Sequence, residues 1–233
     1  MLIVFGSAIL DICPQYHKQK ILKLNGKKVK HLIFDLGGVI INLDTSLTIR
    51  AFAQLTNKSP QQIIDFSISH PGFHAYEKGE ISDTDFRNVI RELSVIELTD
   101  IQIDEAWNAM ILDLPHERIK LLQELKQEYN IFLLSNTNFI HMDKVNQVRS
   151  ETDLPEFSEV FHQDYYSHIM GKRKPDADIF EQVLEEHNLD PQYTLFLDDN
   201  DSNIEGANKL GIQTLHVTSP QVMMDHFNYE RKN

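Results

Sequence analysis

An aspartate ends an apolar run in HLIFDLGG (31–38), and two glycines, Gly37 and Gly38, follow it closely. Three other short segments carry groups able to work with it. These are Ser135 in LLSNTN (133–138), Lys174 in GKRKPD (171–176), and Asp198 and Asp199 in LDDNDSN (197–203). Asp35 brought close to Asp198 and Asp199 would set carboxylates against one another. That raises their pKa values and costs stability unless a cation neutralises them. A hard divalent ion does so, and carboxylates together with a backbone carbonyl suit Mg2+. A lysine beside a carboxylate nucleophile and a phosphate holds negative charge through the reaction. A serine at a strand end can donate a hydrogen bond to a phosphoryl oxygen, with Asn136 or Thr137 assisting. Each segment also has a plain structural reading. Asp198 to Asp201 can form a turn that caps the next helix, Lys174 can be a solvated charge, and Ser135 can bond backbone. A calcium loop counted from Asp199 fails, because its sixth position is Ile204 and its twelfth is Leu210. Lys174 is singled out over Lys172 and Arg173 because Pro175 fixes the chain directly after it and is expected to begin a helix.

The elements that must position these groups read as an α/β sheet. Five apolar runs are predicted strands: 31–36, 130–135, 159–163, 193–199 and 212–217. Continuous apolar runs of this length suit a parallel sheet covered on both faces. Helical patterns separate the later ones, after Pro115, after Pro175 and up to Gly211, a natural helix stop. This alternation places Asp35, Ser135 and Asp198 at the carboxyl ends of strands. About 85 residues between the first two strands carry no strand pattern and read as helices. One begins at Ser59-Pro60. Another begins at Ser82, with Asp85 completing a capping box, and a third carries Ile103, Ala106, Trp107 and Met110. The expected organisation is an N-terminal extension (1–29), a Rossmann-like core (30–44 and 115–233) and an all-helical cap (45–114) over the strand ends, where open α/β sheets bind ligands.

Composition narrows the partners. The chain has 233 residues, 41% hydrophobic, and a formal charge of −13. An acidic surface argues against nucleic acid and against stable association with anionic membranes, while a small phosphorylated substrate remains compatible. MLIVFGSAIL, at the start, is apolar but too short to span a bilayer and lacks the basic flank of a signal peptide. The single cysteine, Cys13, forms no internal disulfide, which suits a reducing, cytoplasmic setting. Nothing in the sequence fixes an oligomeric state.

Taken together and in order, FDLGGVI, LLSNTN, GKRKPDADIF and FLDDNDSNIEGA resemble the motifs of the haloacid dehalogenase superfamily. The likeness runs from about residue 31 to residue 217. YEKGEISDTDFR (76–87) resembles the helical cap of a subgroup that includes α-glucose-1-phosphate phosphatase. The resemblance implies a Rossmann-like core with a helical cap, and Mg2+-dependent phosphoryl transfer through an aspartyl-phosphate. By position it implies Asp35 as nucleophile and metal ligand, with the Gly37 carbonyl, Asp198 and Asp199 completing the metal site. It implies Ser135 and Lys174 at the phosphoryl group; Asn136, beside Ser135, and Glu77, on the cap, are expected as further substrate contacts. Asn203 stands where many relatives have aspartate.

Many phosphatases of this kind carry a second aspartate two residues after the nucleophile, as general acid and base. Here that position is Gly37, which supplies no proton. Such catalysis is worth about 10²–10⁴ in rate. A substrate with a good leaving group, such as an anomeric sugar phosphate, would need it less. Otherwise Asp44, His70, His74 or Glu77 must supply the proton. The alternatives are a catalytically weak or silent protein on this fold, and a carbon–halogen hydrolase, for which the acidic pair would be superfluous.

Overall fold

The computed structural model describes residues 23–24 and 26–232. The apolar start of the chain and Cys13 lie outside them, as does most of the expected extension; within it, Lys23–Leu24 and Lys27–Lys28 pair antiparallel. The core is one five-stranded sheet of β1 (His31–Phe34), β2 (Asn130–Ser135), β3 (Gln163–Tyr166), β4 (Thr194–Asp198) and β5 (Gln213–His216). The strand order is β3-β2-β1-β4-β5, and every pairing is parallel. Register sets Phe34 beside Leu133 and beside Leu197. The next residue, Asp35, therefore leaves the sheet between the ends of β2 and β4. The order reverses at β1, and a crevice opens beyond the strand ends there.

Alternation along the strands explains why both faces are covered. Leu32 and Phe34 join one buried cluster with Leu133, Leu195 and Leu197, while Ile33 joins another with Phe132, Leu134 and Phe196. Each fully buried side chain of this size contributes about 1.5–3 kcal/mol.

Six helices separate β1 from β2, and the first five form a unit of their own: α1 (Thr45–Thr56), α2 (Pro60–Ser69), α3 (Gly72–Glu77), α4 (Asp83–Arg91) and α5 (Asp100–Asn108). The capping boxes form at Ser59–Gln62, Ser82–Asp85 and Thr99–Gln102. These helices share their own apolar cluster, with Phe52, Ile63, Tyr76, Phe86, Ile90 and Ile103 buried. Tyr76 stacks on Phe86 at 4.2 Å. The two segments joining this unit to the sheet run side by side: Asn42 N bonds Asp113 O, Leu112 N bonds Asn42 O and Asp44 N bonds Met110 O.

The chain continues through α6 (His116–Leu125), α7 (Phe139–Glu151), α8 (Phe157–Val160), α9 (Ser167–Met170), α10 (Ala177–Glu186), α11 (Asp201–Lys209) and α12 (Pro220–Lys232). Leu121, Leu122 and Leu125 of α6 and Met223 and Phe227 of α12 pack on one face of the sheet. Ile179, Phe180 and Val183 of α10 and Ala207 of α11 pack on the other.

Two expectations are corrected here. Of residues 159–163 only Gln163 belongs to the third strand. Val160 and Phe161 are buried through a helical turn, α8, and the strand is the more polar QDYY that follows. As an edge strand it needs only one deeply buried residue, Tyr165, so the apolar run pointed to the wrong segment. Nor does Pro175 begin a helix. The Lys174–Pro175 peptide is cis, and α10 starts two residues later. Among the described residues, no helix is long and apolar enough to cross a membrane.

Candidate active site

Asp35 sits one residue past β1 and remains tied to the sheet by its N–H, which donates to Leu197 O at 2.8 Å. Its carboxylate is nearly buried and Oδ1 accepts from Lys174 Nζ at 2.7 Å. The same ammonium donates to Asp198 Oδ2 at 2.7 Å. Lys174 is 1% exposed, and the Phe196 ring lies 5.2 Å from its nitrogen. An ammonium has three N–H groups, so one remains for a third acceptor in the crevice. Burial pulls the Lys174 ammonium down, but Asp198 and Asp35 together outweigh it and hold it above lysine's ordinary value. For Asp35, burial is the largest influence and Asp198 and Asp199 add to it. Lys174 opposes them, and the carboxyl stands at about 7.

The residues expected to hold Mg2+ do converge. Asp35, Asp198 and Asp199 each offer an oxygen, and these atoms lie within 4.8 Å of one another. They differ in how free they are. Asp198 is wholly buried. Its Oδ1 accepts from Asn200 N at 2.8 Å, and Asn203 Nδ2 reaches both of its oxygens at 3.1 Å. With Lys174 on Oδ2, Asp198 is a hydrogen-bonded anchor for the lysine more than an open ligand. Asp199 is exposed as a residue but its carboxyl is partly desolvated, and that desolvation together with the Asp198 charge raises its pKa. The loop bonds run from Gly38 N to Ile41 O, and from Ile40 and Ile41 N to Leu36 O, and among the described residues none is made to the Gly37 carbonyl oxygen. Two open carboxylates, a free carbonyl and an excess of buried negative charge are a donor set that fits Mg2+.

The two glycines serve different ends. Gly38 has φ +68°, and a Cβ there would lie 2.4 Å from Asp199 Oδ2. Backbone and carboxylate both demand glycine. A Cβ on Gly37 would meet only the tip of the Leu43 side chain, Cδ1 at 2.5 Å, and its φ is not positive. A side chain at 37 therefore needs only a shift of Leu43.

Ser135 closes β2 and, with Gly37, lines a cavity of about 280 Å3 between the sheet ends and the helical unit above. Glu77, Asn136 and Thr137 line it too. Asn136 is engaged with Lys174, its Nδ2 donating to the Lys174 carbonyl at 2.8 Å and its Oδ1 accepting from the Lys174 N–H at 2.9 Å. Glu77 Oε2 accepts from Arg173 Nε at 2.8 Å. Asp44 does not line the cavity. It caps α1, and the Ser46 hydroxyl holds its carboxyl below the usual range. His70 is turned to Gly72 N and stacks on Phe66. His74 lines a neighbouring cavity inside the cap.

Sequence reasoning missed His141 and Trp107 as cavity residues. His141 stacks on Trp107 at 4.5 Å and its Nδ1 lies 2.8 Å from Asn108 Oδ1, while Trp107 Nε1 donates to Asn138 Oδ1 at 3.4 Å. Burial pushes the His141 imidazolium down to about 3, so the ring is neutral. The signal lay in SNTNFIH, where a histidine follows the serine by six residues, but only the joining of α5 to α7 gives it meaning.

Comparison with known proteins agrees with this geometry. A family profile described as haloacid dehalogenase-like hydrolase matches residues 29–211. D-ribitol-5-phosphate phosphatase of Bacteroides thetaiotaomicron is 28% identical over 186 residues, 80% of this chain and 90% of that one. A haloacid dehalogenase family enzyme from the same organism, solved with magnesium and inorganic phosphate, is 35% identical with a TM-score of 0.70. That match covers 80% of this chain and 93% of the other. A similar hydrolase from Porphyromonas gingivalis is 30% identical with a TM-score of 0.72, over 80% and 90% of the two chains.

Proposed function

The chain belongs to the haloacid dehalogenase-like hydrolases, and from that premise we propose that it is a Mg2+-dependent phosphomonoesterase acting on a small phosphorylated metabolite through an aspartyl-phosphate on Asp35. The observation that carries this reading is the buried Asp35–Lys174–Asp198 array beside Asp199, with Gly37, two residues after Asp35, and Ser135 lining the adjoining cavity. The relatives named or solved as phosphate-handling enzymes support it. The same reading divides the chain into core and cap at the paired segments around residues 42–44 and 110–113.

In this mechanism the Asp35 carboxylate attacks phosphorus while Lys174 and the Ser135 hydroxyl hold phosphoryl oxygens. Mg2+, held by Asp35, Asp199 and the Gly37 carbonyl, would neutralise the charge of the carboxylates and the phosphoryl group. Asn136 clamps the backbone of Lys174, a positioning role in place of direct substrate contact. The bond from Asp35 to phosphorus forms as the bond from phosphorus to the alcohol oxygen breaks, and the departing oxygen takes its proton from water. Water then adds to phosphorus as the bond to Asp35 breaks, releasing phosphate. Of the four proton carriers open in the sequence, Glu77 alone lines the cavity with Gly37 and Ser135. Paired with Arg173 as a carboxylate, it is suited to take the proton of the attacking water and poorly suited to give one to the leaving alcohol.

The test is Mg2+-dependent release of phosphate from a panel of aryl and alkyl esters. Turnover disappears in EDTA, and the rate falls as the pKa of the leaving alcohol rises. Glu77→Gln lowers kcat by about 10²-fold. Gly37→Asp, with room made by Leu43, flattens the leaving-group dependence and raises turnover of alkyl esters. Activity that survives EDTA and releases halide from a haloacid would replace this reading with carbon–halogen cleavage.

A further inference from the structure

The cavity at Ser135 does not end at the phosphoryl site. A second cavity of about 270 Å3 lies among the cap helices, and Thr45, Glu77, Trp107 and Met110 line both. The two are adjoining chambers separated by those four side chains. The inner one is walled by Ile49, Phe52, Ile63, Phe73, Ile90 and Leu93. Thr45, Thr48, Ser67, His74 and Glu77 are its polar members; Glu77 is paired with Arg173, and Thr48 and Ser67 are bonded within the cap. Thr48 Oγ1 donates to Trp107 O and accepts from Met110 N, and Ser67 Oγ donates to Ile64 O.

The outer chamber is similar. Asn138 Oδ1 accepts from His141 N and from Trp107 Nε1, Asn136 is spent on Lys174, and Leu36, Ile41, Leu43, Ile111 and Val145 add an apolar wall. A polyol or sugar stripped of water here would find few replacement partners, and an unpaired hydroxyl in such surroundings is penalised. A hydrocarbon gains from the same walls, because each methylene removed from water favours binding by about 3- to 4-fold.

We propose that the substrate is a phosphomonoester of an alcohol with an extended apolar body, aliphatic or isoprenoid. Its phosphoryl group sits at Ser135 and Lys174, and its hydrocarbon runs past Trp107 and Met110 into the cap. The inference rests on the phosphatase reading and narrows its substrate.

The experiment measures kcat/KM with Mg2+ for ethyl, butyl, hexyl and octyl phosphate, for ribitol 5-phosphate, and for p-nitrophenyl phosphate. These alkyl alcohols have nearly equal pKa values, so the series reads the chambers and not the leaving group. The expected result is a rise of about 3-fold per methylene, with octyl phosphate at least tenfold above ribitol 5-phosphate. Ser67→Phe, which fills the inner chamber, is expected to lower the octyl-to-ethyl ratio about tenfold. A flat alkyl series, or a preference for the polyol ester, overturns the inference while leaving the phosphatase intact. Absence of turnover on every ester, p-nitrophenyl phosphate included, is failure of the phosphatase reading. Equilibrium binding of octyl phosphate against ribitol 5-phosphate then decides the chamber proposal by the same ordering.

Discussion

Asp35→Asn is expected to lower kcat by about 10⁵-fold, as loss of a nucleophile does, without destabilising the metal-free protein. Both halves follow from the surroundings of this side chain. Asp35 is nearly buried, faces Asp198 and Asp199, and shares one ammonium with Asp198. Its folded pKa, raised by burial to about 7 from 3.8, gives the sign of the pH dependence. A carboxyl raised on folding contributes most below its unfolded pKa, and that contribution is lost as pH rises through the folded value. An asparagine has no such loss. In EDTA the melting temperature of the variant relative to the parent therefore rises between pH 5 and pH 8. With Mg2+ the comparison reverses, because the parent keeps a ligand that the variant lacks and gains more from the ion. Thermal melts at the two pH values, with and without Mg2+, check this beside phosphate release. Retained turnover in the variant, or a melting difference that shrinks toward pH 8, would contradict the role given to Asp35.

Much of this arrangement was legible from residue types. Asp35 follows a run too apolar for anything but a covered strand, and the caps at Ser59 and Ser82 announced helices by short-range rules that tertiary packing did not override. The third strand was not legible. Val160 and Phe161 are apolar because they fill the space under α6, while the edge strand beside them is partly solvated and reads as polar. Gly37 and Gly38 looked alike in sequence. Only the positive φ of Gly38 and the carboxylate of Asp199 against it separate a required glycine from a replaceable one.

The division of labour among polar residues was also hidden, for a physical reason. Asn136 and Lys174 are 38 residues apart, and the pair of hydrogen bonds between them exists only once β2 and the segment before α10 lie side by side. The neutral His141 against Trp107 likewise depends on a contact between cap and core. Residue type supplies the candidates. Which of them faces the cavity and which is consumed by a neighbour is decided by long-range packing, which carries no local signal.

Lys174→Met separates the structural from the catalytic share of the site. Removing the ammonium strands two carboxylates, Asp198 with no exposure and Asp35 with little. Breaking one side of a buried ion pair costs about 3–5 kcal/mol. At roughly 2–4 °C per kcal/mol for a chain of this size, that is a fall of about 6–20 °C in melting temperature. Methionine keeps most of the volume, so the loss reports the charge, its contact with the Phe196 ring included, and not a cavity. Added Mg2+ recovers part of it, because a cation near Asp35 and Asp199 compensates the exposed negative charge. The Mg2+-induced rise in melting temperature is therefore larger in this variant than in the parent. Turnover does not recover in parallel and stays down by about 10²–10³-fold, since the donor to the phosphoryl oxygen is gone. Asn136→Ala supplies the control. If Asn136 acts by holding Lys174, its substitution lowers kcat in the parent and adds nothing in the Lys174→Met background. Equal, additive losses in both backgrounds would assign Asn136 to the substrate instead.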